Sequence, residues 1–145
     1  MELDLIYPKH EEKHPKMEHN TSNKFECVFC SIDILKSNSI MLKNLEGSTL
    51  GIWSAHGEGK FNFKNQKVNV AAKFHYDEYP ANPNGSEFSA AAVCSDDGRH
   101  LAIMPHLERS IFSWNWAHYP SDREDEISPW ILPFQNARNW LEENA

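Results

Sequence analysis

No stretch of this 145-residue chain stays apolar for the roughly 20 residues a membrane helix needs, and no charged-then-apolar leader opens it. Basic charge is also short. Lys and Arg number 14 against 21 Asp and Glu, a net of −7, with no local basic stripe. That balance speaks against nucleic acid as a partner, because phosphate recognition depends on clustered cations. Cysteine is scarce and odd in number, three residues without regular spacing. This argues against a disulfide framework and for a reducing compartment. Internal repeats and low-complexity tracts are lacking too. These absences leave an acidic, soluble, intracellular protein, expected in the cytoplasm, with neither membrane nor nucleic acid as a partner.

What is present suits one domain, or a piece of a larger one, with five Trp and eight Phe as core material. Met1 to Tyr7 reads as the tail of an amphipathic helix stopped by Pro8, and the polar run Lys9 to His19 as a surface loop. From Lys24 the pattern turns to strands. Phe25, Cys27 and Phe29 alternate with Glu26, Val28 and Cys30, and Ile32 and Ile34 continue on the opposite phase. That change fits a bulge, a twist or a strand buried on both faces. Ser39 to Leu42 is a short strand candidate, Leu50 to Ala55 a buried one, and Val68 to Tyr76 alternates again. Ala90 to Cys94 and Leu101 to Met104 bracket Asp97-Gly98, a hairpin signal. The last segment reads as a helix. Ser128 caps it, Pro129 takes the first position, Trp130, Phe134, Ala137 and Leu141 form an apolar stripe, and Pro133 kinks it or delays its start.

Two short stretches carry candidate chemistry. In Met104-Pro105-His106-Leu107-Glu108-Arg109, His106 and Glu108 follow a strand two residues apart, so their side chains share a side. A histidine base oriented by a carboxylate is the arrangement that activates a cysteine or serine nucleophile. By spacing alone, a surface His and Glu in a strand-end loop is the commoner arrangement. In Ala55-His56-Gly57-Glu58-Gly59-Lys60, glycines flank Glu58 after a buried strand. This is either a turn needing positive φ or close backbone approach to something such as a ligand, or a hairpin turn with an exposed Glu.

The remaining candidates are weaker. Tyr79-Pro80-Ala81-Asn82-Pro83-Asn84-Gly85-Ser86 is a rigid loop whose asparagines are better placed for Asx turns than for substrate. Cys27 and Cys30 have C-x-x-C spacing, but on a strand they face opposite ways and no second pair completes a zinc site. His10, His14 and His19 offer imidazoles to a transition metal, within a solvated, carboxylate-rich loop.

In order, six blocks resemble the phosphoribosylformylglycinamidine synthase family in its large, single-chain form. They are Pro15 to Glu26, Ala55 to Lys60, Tyr79 to Ser86, Asp97 to Ala102, Met104 to Arg109, and Ser128-Pro129-Trp130 with Asn136-Ala137-Arg138-Asn139-Trp140. The resemblance implies the C-terminal part of a class I glutamine amidotransferase domain. Its fold would be α/β and flavodoxin-like, strand-rich here with a C-terminal helix. Residues 1–21 would be the end of the post-nucleophile helix and its loop, and residues 22–145 the C-terminal portion of the glutaminase domain. The family makes formylglycinamidine ribonucleotide from formylglycinamide ribonucleotide, glutamine and ATP in de novo purine synthesis. A cysteine attacks the glutamine carboxamide, and the released ammonia passes to a synthetase domain where ATP and Mg²⁺ act. His106 matches the triad histidine, Glu108 the triad glutamate, and His56 with Glu58 the glycine-flanked turn near the glutamine site. No cofactor is expected in this chain itself.

There are departures. The family nucleophile lies in an Asn-Gly-Cys-Gln elbow, and Met1-Glu2-Leu3 with Leu5-Ile6-Tyr7-Pro8 resembles the end of the helix that follows it. The elbow is therefore expected just upstream of Met1, by natural truncation, a misassigned start, or because the chain is a piece of a longer one. Cys27, Cys30 and Cys94 do not replace it. Leu107 stands where many other class I amidotransferases have proline, although this family tolerates leucine. The chain is expected to be inactive alone. The alternatives are a non-catalytic, glutamine-binding or regulatory remnant, and a metal-binding protein using the N-terminal histidines.

Overall fold

The computed structural model describes residues 5–6, 15–64 and 67–145. Among these residues the strands, in chain order, are β1 (Lys16–Glu18), β2 (Glu26–Ile34), β3 (Thr49–His56), β4 (Lys60–Asn62), β5 (Val70–Phe74), β6 (Ala90–Cys94) and β7 (Leu101–Ile103). The one α-helix among them is α1 (Leu132–Asn144). A five-stranded sheet runs β3-β2-β5-β6-β7, a small ribbon pairs β1 with β4, and each of these pairings is antiparallel. The strand-rich α/β reading with a C-terminal helix holds. No helix here is long and apolar enough to cross a membrane. The expected helical tail over Met1 to Tyr7 and most of the following loop lie outside the described residues.

β2 and β3 form the longest ladder, in continuous register from Glu26↔His56 to Asp33↔Thr49. No bulge interrupts β2, so its change of hydrophobic phase has another cause. Cys30, Ile32 and Ile34 face the main core, while Phe29 on the other face packs edge-on to Trp53 and against Trp116. Both faces of the strand's middle are covered. β6 is buried along its whole length, and its alanines allow close packing on two sides. Ala91 and Ala92 join the main core around Ile32, Ile52, Phe74 and Trp130, while Ala90 and Val93 join a second cluster with Phe61 and Phe63.

The Asp97-Gly98 hairpin forms as expected between β6 and β7. Asp97 accepts from the Ser95 hydroxyl, from Arg99 Nε at 2.8 Å and from Arg99 N–H at 3.1 Å. These hydrogen bonds, led by that from Ser95, hold its carboxyl well below the usual carboxylate range. The helix entry also follows the sequence. Ser128 Oγ accepts from Trp130 N–H at 3.2 Å over a 3₁₀ turn (Pro129–Ile131), and the α-helix starts at Leu132, delayed as Pro133 suggested.

Two expectations fail. Lys16–Glu18, inside the run read as loop, is a strand. Its charged residues carry no alternation, and its pairing with β4 is what makes it extended. Ser39 to Leu42 is not a strand but a run of turns. Ser39 Oγ accepts from Leu42 N–H at 3.3 Å, and Asn44 takes φ 68°. The expected stripe runs from the 3₁₀ turn into α1 and is partly covered: Trp130 in the turn is fully buried, while Phe134 is 39% and Leu141 61% exposed on the helix.

Gly98 takes φ +73°, and a Cβ there would fall on the Asn38 carbonyl. Its own carbonyl accepts from Ile40 N–H at 3.1 Å, which ties the hairpin to the turns after β2. Gly98→Ala is expected to destabilise the chain by about 2 kcal/mol or more in urea unfolding, through left-handed strain and overpacking together. A loss below about 0.5 kcal/mol, the range of indifferent surface changes, would contradict that reading.

Candidate functional site

The site is built on the free edge of β3. His106 N–H donates to the Trp53 carbonyl at 2.7 Å, and the two residues form an isolated antiparallel bridge. Ser110 secures the segment beyond. Its hydroxyl donates to the His106 carbonyl at 3.2 Å and accepts from Trp53 N–H at 3.3 Å. The Ser110 carbonyl takes Trp116 Nε1–H at 2.7 Å and the Ser128 hydroxyl at 2.6 Å. Leu107 is 5% exposed and belongs to the main core. Because Leu107 points inward, its neighbours both point out.

His106 Nδ1 therefore meets Glu108 Oε1 at 2.7 Å. Paired with an ionised carboxylate, Nδ1 carries the proton, and Nε2 is left as the basic nitrogen. Partial burial pushes the Glu108 carboxyl up. Hydrogen bonds from His106 and the backbone, with the charges of His106 and Arg109, outweigh this, and the net direction is down. Nε2 lies 3.5 Å from the Ala55 carbonyl, a contact that turns favourable only when the ring is protonated. Beside the pair is an open hollow of about 580 Å³, lined by Cys27, Trp53, Ala55, Glu108, Arg109 and Trp114 among others.

The glycine-flanked turn continues from the same strand. His56 ends β3 and is 8% exposed. Burial lowers the tendency of its ring to protonate. Its own backbone carbonyl and Glu26 oppose this, and the charge of His106 adds to it, so the net direction is down. Neither Gly57 nor Gly59 adopts positive φ, and β3 and β4 lie in different sheets, so the turn is not a hairpin. Gly59 is there for close approach: a Cβ on it would strike the His56 ring. Glu58 is exposed and lies 3.5 Å from His19 Nδ1. The fold thus brings His56 into electrostatic reach of His106 and directs Glu58 to another partner.

Asn20 was missed by sequence reasoning. It is 1% exposed and lies under the turn, its backbone N–H on the Gly57 carbonyl at 2.9 Å. The next residue, Thr21, donates from its backbone to the Asn84 carbonyl at 3.1 Å, linking this turn to the proline-rich loop. There the asparagines serve Asx bonding as expected. Asn82 Oδ1 accepts from Gly85 N–H at 3.1 Å and Asn84 Oδ1 from Ser86 N–H at 3.0 Å.

The cysteines divide by burial. Cys30 and Cys94 are buried, and desolvation pushes both thiols up. Cys27 is exposed, on the face of β2 away from Cys30. Among the described residues no hydrogen bond joins it to His106, and no group of three or more His, Cys, Asp or Glu is arranged to hold a metal ion.

With this geometry in place, the model of the CobB/CobQ-like glutamine amidotransferase domain matches residues 1–141. The chain belongs to that amidotransferase family. Among curated relatives, the probable phosphoribosylformylglycinamidine synthase, chloroplastic/mitochondrial, of Arabidopsis thaliana is 47% identical over 88% of this chain and 10% of its own length. The human phosphoribosylformylglycinamidine synthase is 38% identical over 89% of this chain and 11% of its own length. The amidotransferase segment thus spans about a tenth of these relatives. A solved structure, that of PurLQS from Thermotoga maritima, superposes with a TM-score of 0.67 at 26% identity, covering 86% of this chain and 52% of that one.

The amidotransferase pair makes a prediction with a definite sign. The Glu108 carboxyl should titrate below the ordinary glutamate range in carbon-detected NMR. The stabilisation it lends is then present above the ordinary range and lost as pH falls through the folded value. His106→Gln removes the leading hydrogen bond and leaves desolvation dominant, so the carboxyl should move up. An unmoved titration in the variant would show that the pair is not coupled.

Proposed function

We propose that His106 is the general base and acid of a glutaminase, that Glu108 orients its ring, and that the chain is the ammonia-supplying portion of a phosphoribosylformylglycinamidine synthase. The observation that carries this reading is the 2.7 Å contact between His106 Nδ1 and Glu108, which leaves Nε2 as the base, beside the Ala55 carbonyl and next to a hollow that Glu108 and Ala55 line. A thiol presented to Nε2 loses its proton to it, attacks the glutamine carboxamide and releases ammonia as Nε2 returns the proton to the leaving nitrogen. Water hydrolyses the resulting thioester with Nε2 again as base. His56 and Glu58 help to shape the glutamine side of the site.

The thiol comes from outside the described residues. Cys30 is committed to the core, its Sγ 3.3 Å from the Ser54 hydroxyl and 3.6 Å from the Ile52 carbonyl. Cys27 faces the hollow with no bond to the base. The partner is the synthetase part of a longer enzyme, where formylglycinamide ribonucleotide, ATP and Mg²⁺ are used. The setting is cytoplasmic purine synthesis.

The chain alone is expected not to hydrolyse glutamine. Joined behind the nucleophile-bearing segment of a relative, it should support turnover that His106→Ala lowers by about 10²–10⁴-fold and Cys27→Ser leaves unchanged. Glutamine hydrolysis by the 145-residue chain alone, abolished by His106→Ala, would overturn the assignment of the thiol. The placement of the cysteines also favours a second reading, a glutamine-binding remnant without catalysis. Calorimetric glutamine binding by the chain, with no turnover in the joined protein, would select it.

A further inference from the structure

The Asn20 side chain can sit in only one way. Its Nδ2 donates to the Lys24 carbonyl at 2.9 Å and to the His56 carbonyl at 2.7 Å, while its Oδ1 accepts from Gly59 N–H at 3.1 Å. Turning the amide over would set an oxygen against two carbonyls and an NH₂ against an N–H. Oδ1 is therefore the atom that lies 3.3 Å from His56 Nδ1, and Nδ1 must carry a proton to meet it. A neutral imidazole protonated at Nδ1 has a bare lone pair at Nε2. That atom is buried and meets no donor among the described residues.

A second buried acceptor lies across the ladder. Glu26 is directly opposite His56 in the β2–β3 register, so the two side chains leave the sheet on the same face, with Cβ atoms about 5 Å apart. Glu26 Oε1 is also buried without a donor. A lone pair on neutral imidazole and a carboxylate oxygen repel each other, and leaving both desolvated is costly. A species that donates two hydrogen bonds relieves both at once, whereas an anion or a carbonyl cannot, and an ammonium ion adds an attraction to the carboxylate that neutral water lacks.

We propose that Glu26 and His56 form a two-acceptor site for a small N–H donor of the ammonium or primary-amide type, with Asn20 as the positioning residue that keeps His56 Nε2 unprotonated. The site stands on its own geometry. The glutaminase reading adds only that two such donors would be at hand, the glutamine carboxamide and the ammonium it releases. Gly59 belongs to the same device, because only a residue without Cβ lets the ring lie where Asn20 reaches it.

The test is nitrogen-detected NMR on the full chain with ¹⁵N-labelled histidine. His56 should show the Nδ1–H tautomer at neutral pH. Ammonium chloride should shift its Nε2 resonance saturably while sodium chloride at equal ionic strength does not. Response to ammonium alone identifies the released ion as the ligand, and response to glutamine alone identifies the carboxamide. Glu26→Gln should weaken whichever response is seen by about tenfold or more, the loss of one charge-assisted hydrogen bond. Asn20→Ala removes the acceptor that faces Nδ1, and should mix the tautomers. If that variant does not fold, the wild type and Glu26→Gln still decide the matter. An Nε2–H tautomer or an imidazolium in the wild type, equal responses to sodium and ammonium, no response to either ligand, or Glu26→Gln binding like the wild type would each overturn the proposal. Absence of glutamine turnover would leave these signals in place, so the two readings fail separately.

Discussion

The hydrogen bond from His106 N–H to the Trp53 carbonyl joins the site to the sheet, and most of the site's geometry depends on that register. Among the described residues β3 is the edge strand of the sheet, paired along its length with β2 on one side only. An edge presents a row of open backbone groups, and here the segment from His106 to Ser110 takes up part of it. A slip of one residue would turn every side chain over. Leu107 would leave the core, and His106 and Glu108 would enter it. The cost of exposing Leu107, about 2 kcal/mol for a fully buried leucine, protects the orientation of two polar side chains that contribute little stability themselves.

Burial separates the two histidines near this edge into different kinds of group. His106 keeps 26% of its side chain exposed and has a carboxylate partner. His56 is sunk behind it, held by an amide in place of a carboxylate, and desolvation keeps its ring neutral. Two imidazolium ions this close would oppose each other. A neutral His56 adds no like charge beside His106, and its Nε2 lone pair meets no donor among the described residues.

Much of this was legible in the sequence where the determining contacts are local. The Asp97-Gly98 hairpin, the β2 and β3 strands and the Ser128 cap depend on residues within a few positions of one another. The His106–Glu108 pairing follows from the period of two across a buried Leu107. What was not legible depends on distant chain. Lys16–Glu18 is a strand only because Lys60–Asn62 lies beside it. Asn20 sits in a polar run that reads as solvated, and only contacts with residues 56–59 make it a buried keystone. The glycines of the turn at His56 were read as sites of positive φ or close approach, and only three dimensions could choose between these. The apolar stripe running into α1 was legible as a shared face, but its cover was not. Periodicity reports which residues share a face and says nothing of whether anything covers it.

The arrangement also explains how the His106–Glu108 pair is fixed without help from a thiol. Nothing in the His106–Glu108 contact requires a nucleophile. The backbone bond to Trp53, the Ser110 clasp and the buried Leu107 set the ring's position, and Glu108 sets its tautomer. Proton transfer to Nε2 then needs only that a donor reach hydrogen-bond distance in the right direction. A pair held this way arrives preorganised, and the entropy of fixing it is met by the fold rather than at the moment of reaction. Sheet edge and core together therefore hold the His106–Glu108 pair as a rigid unit.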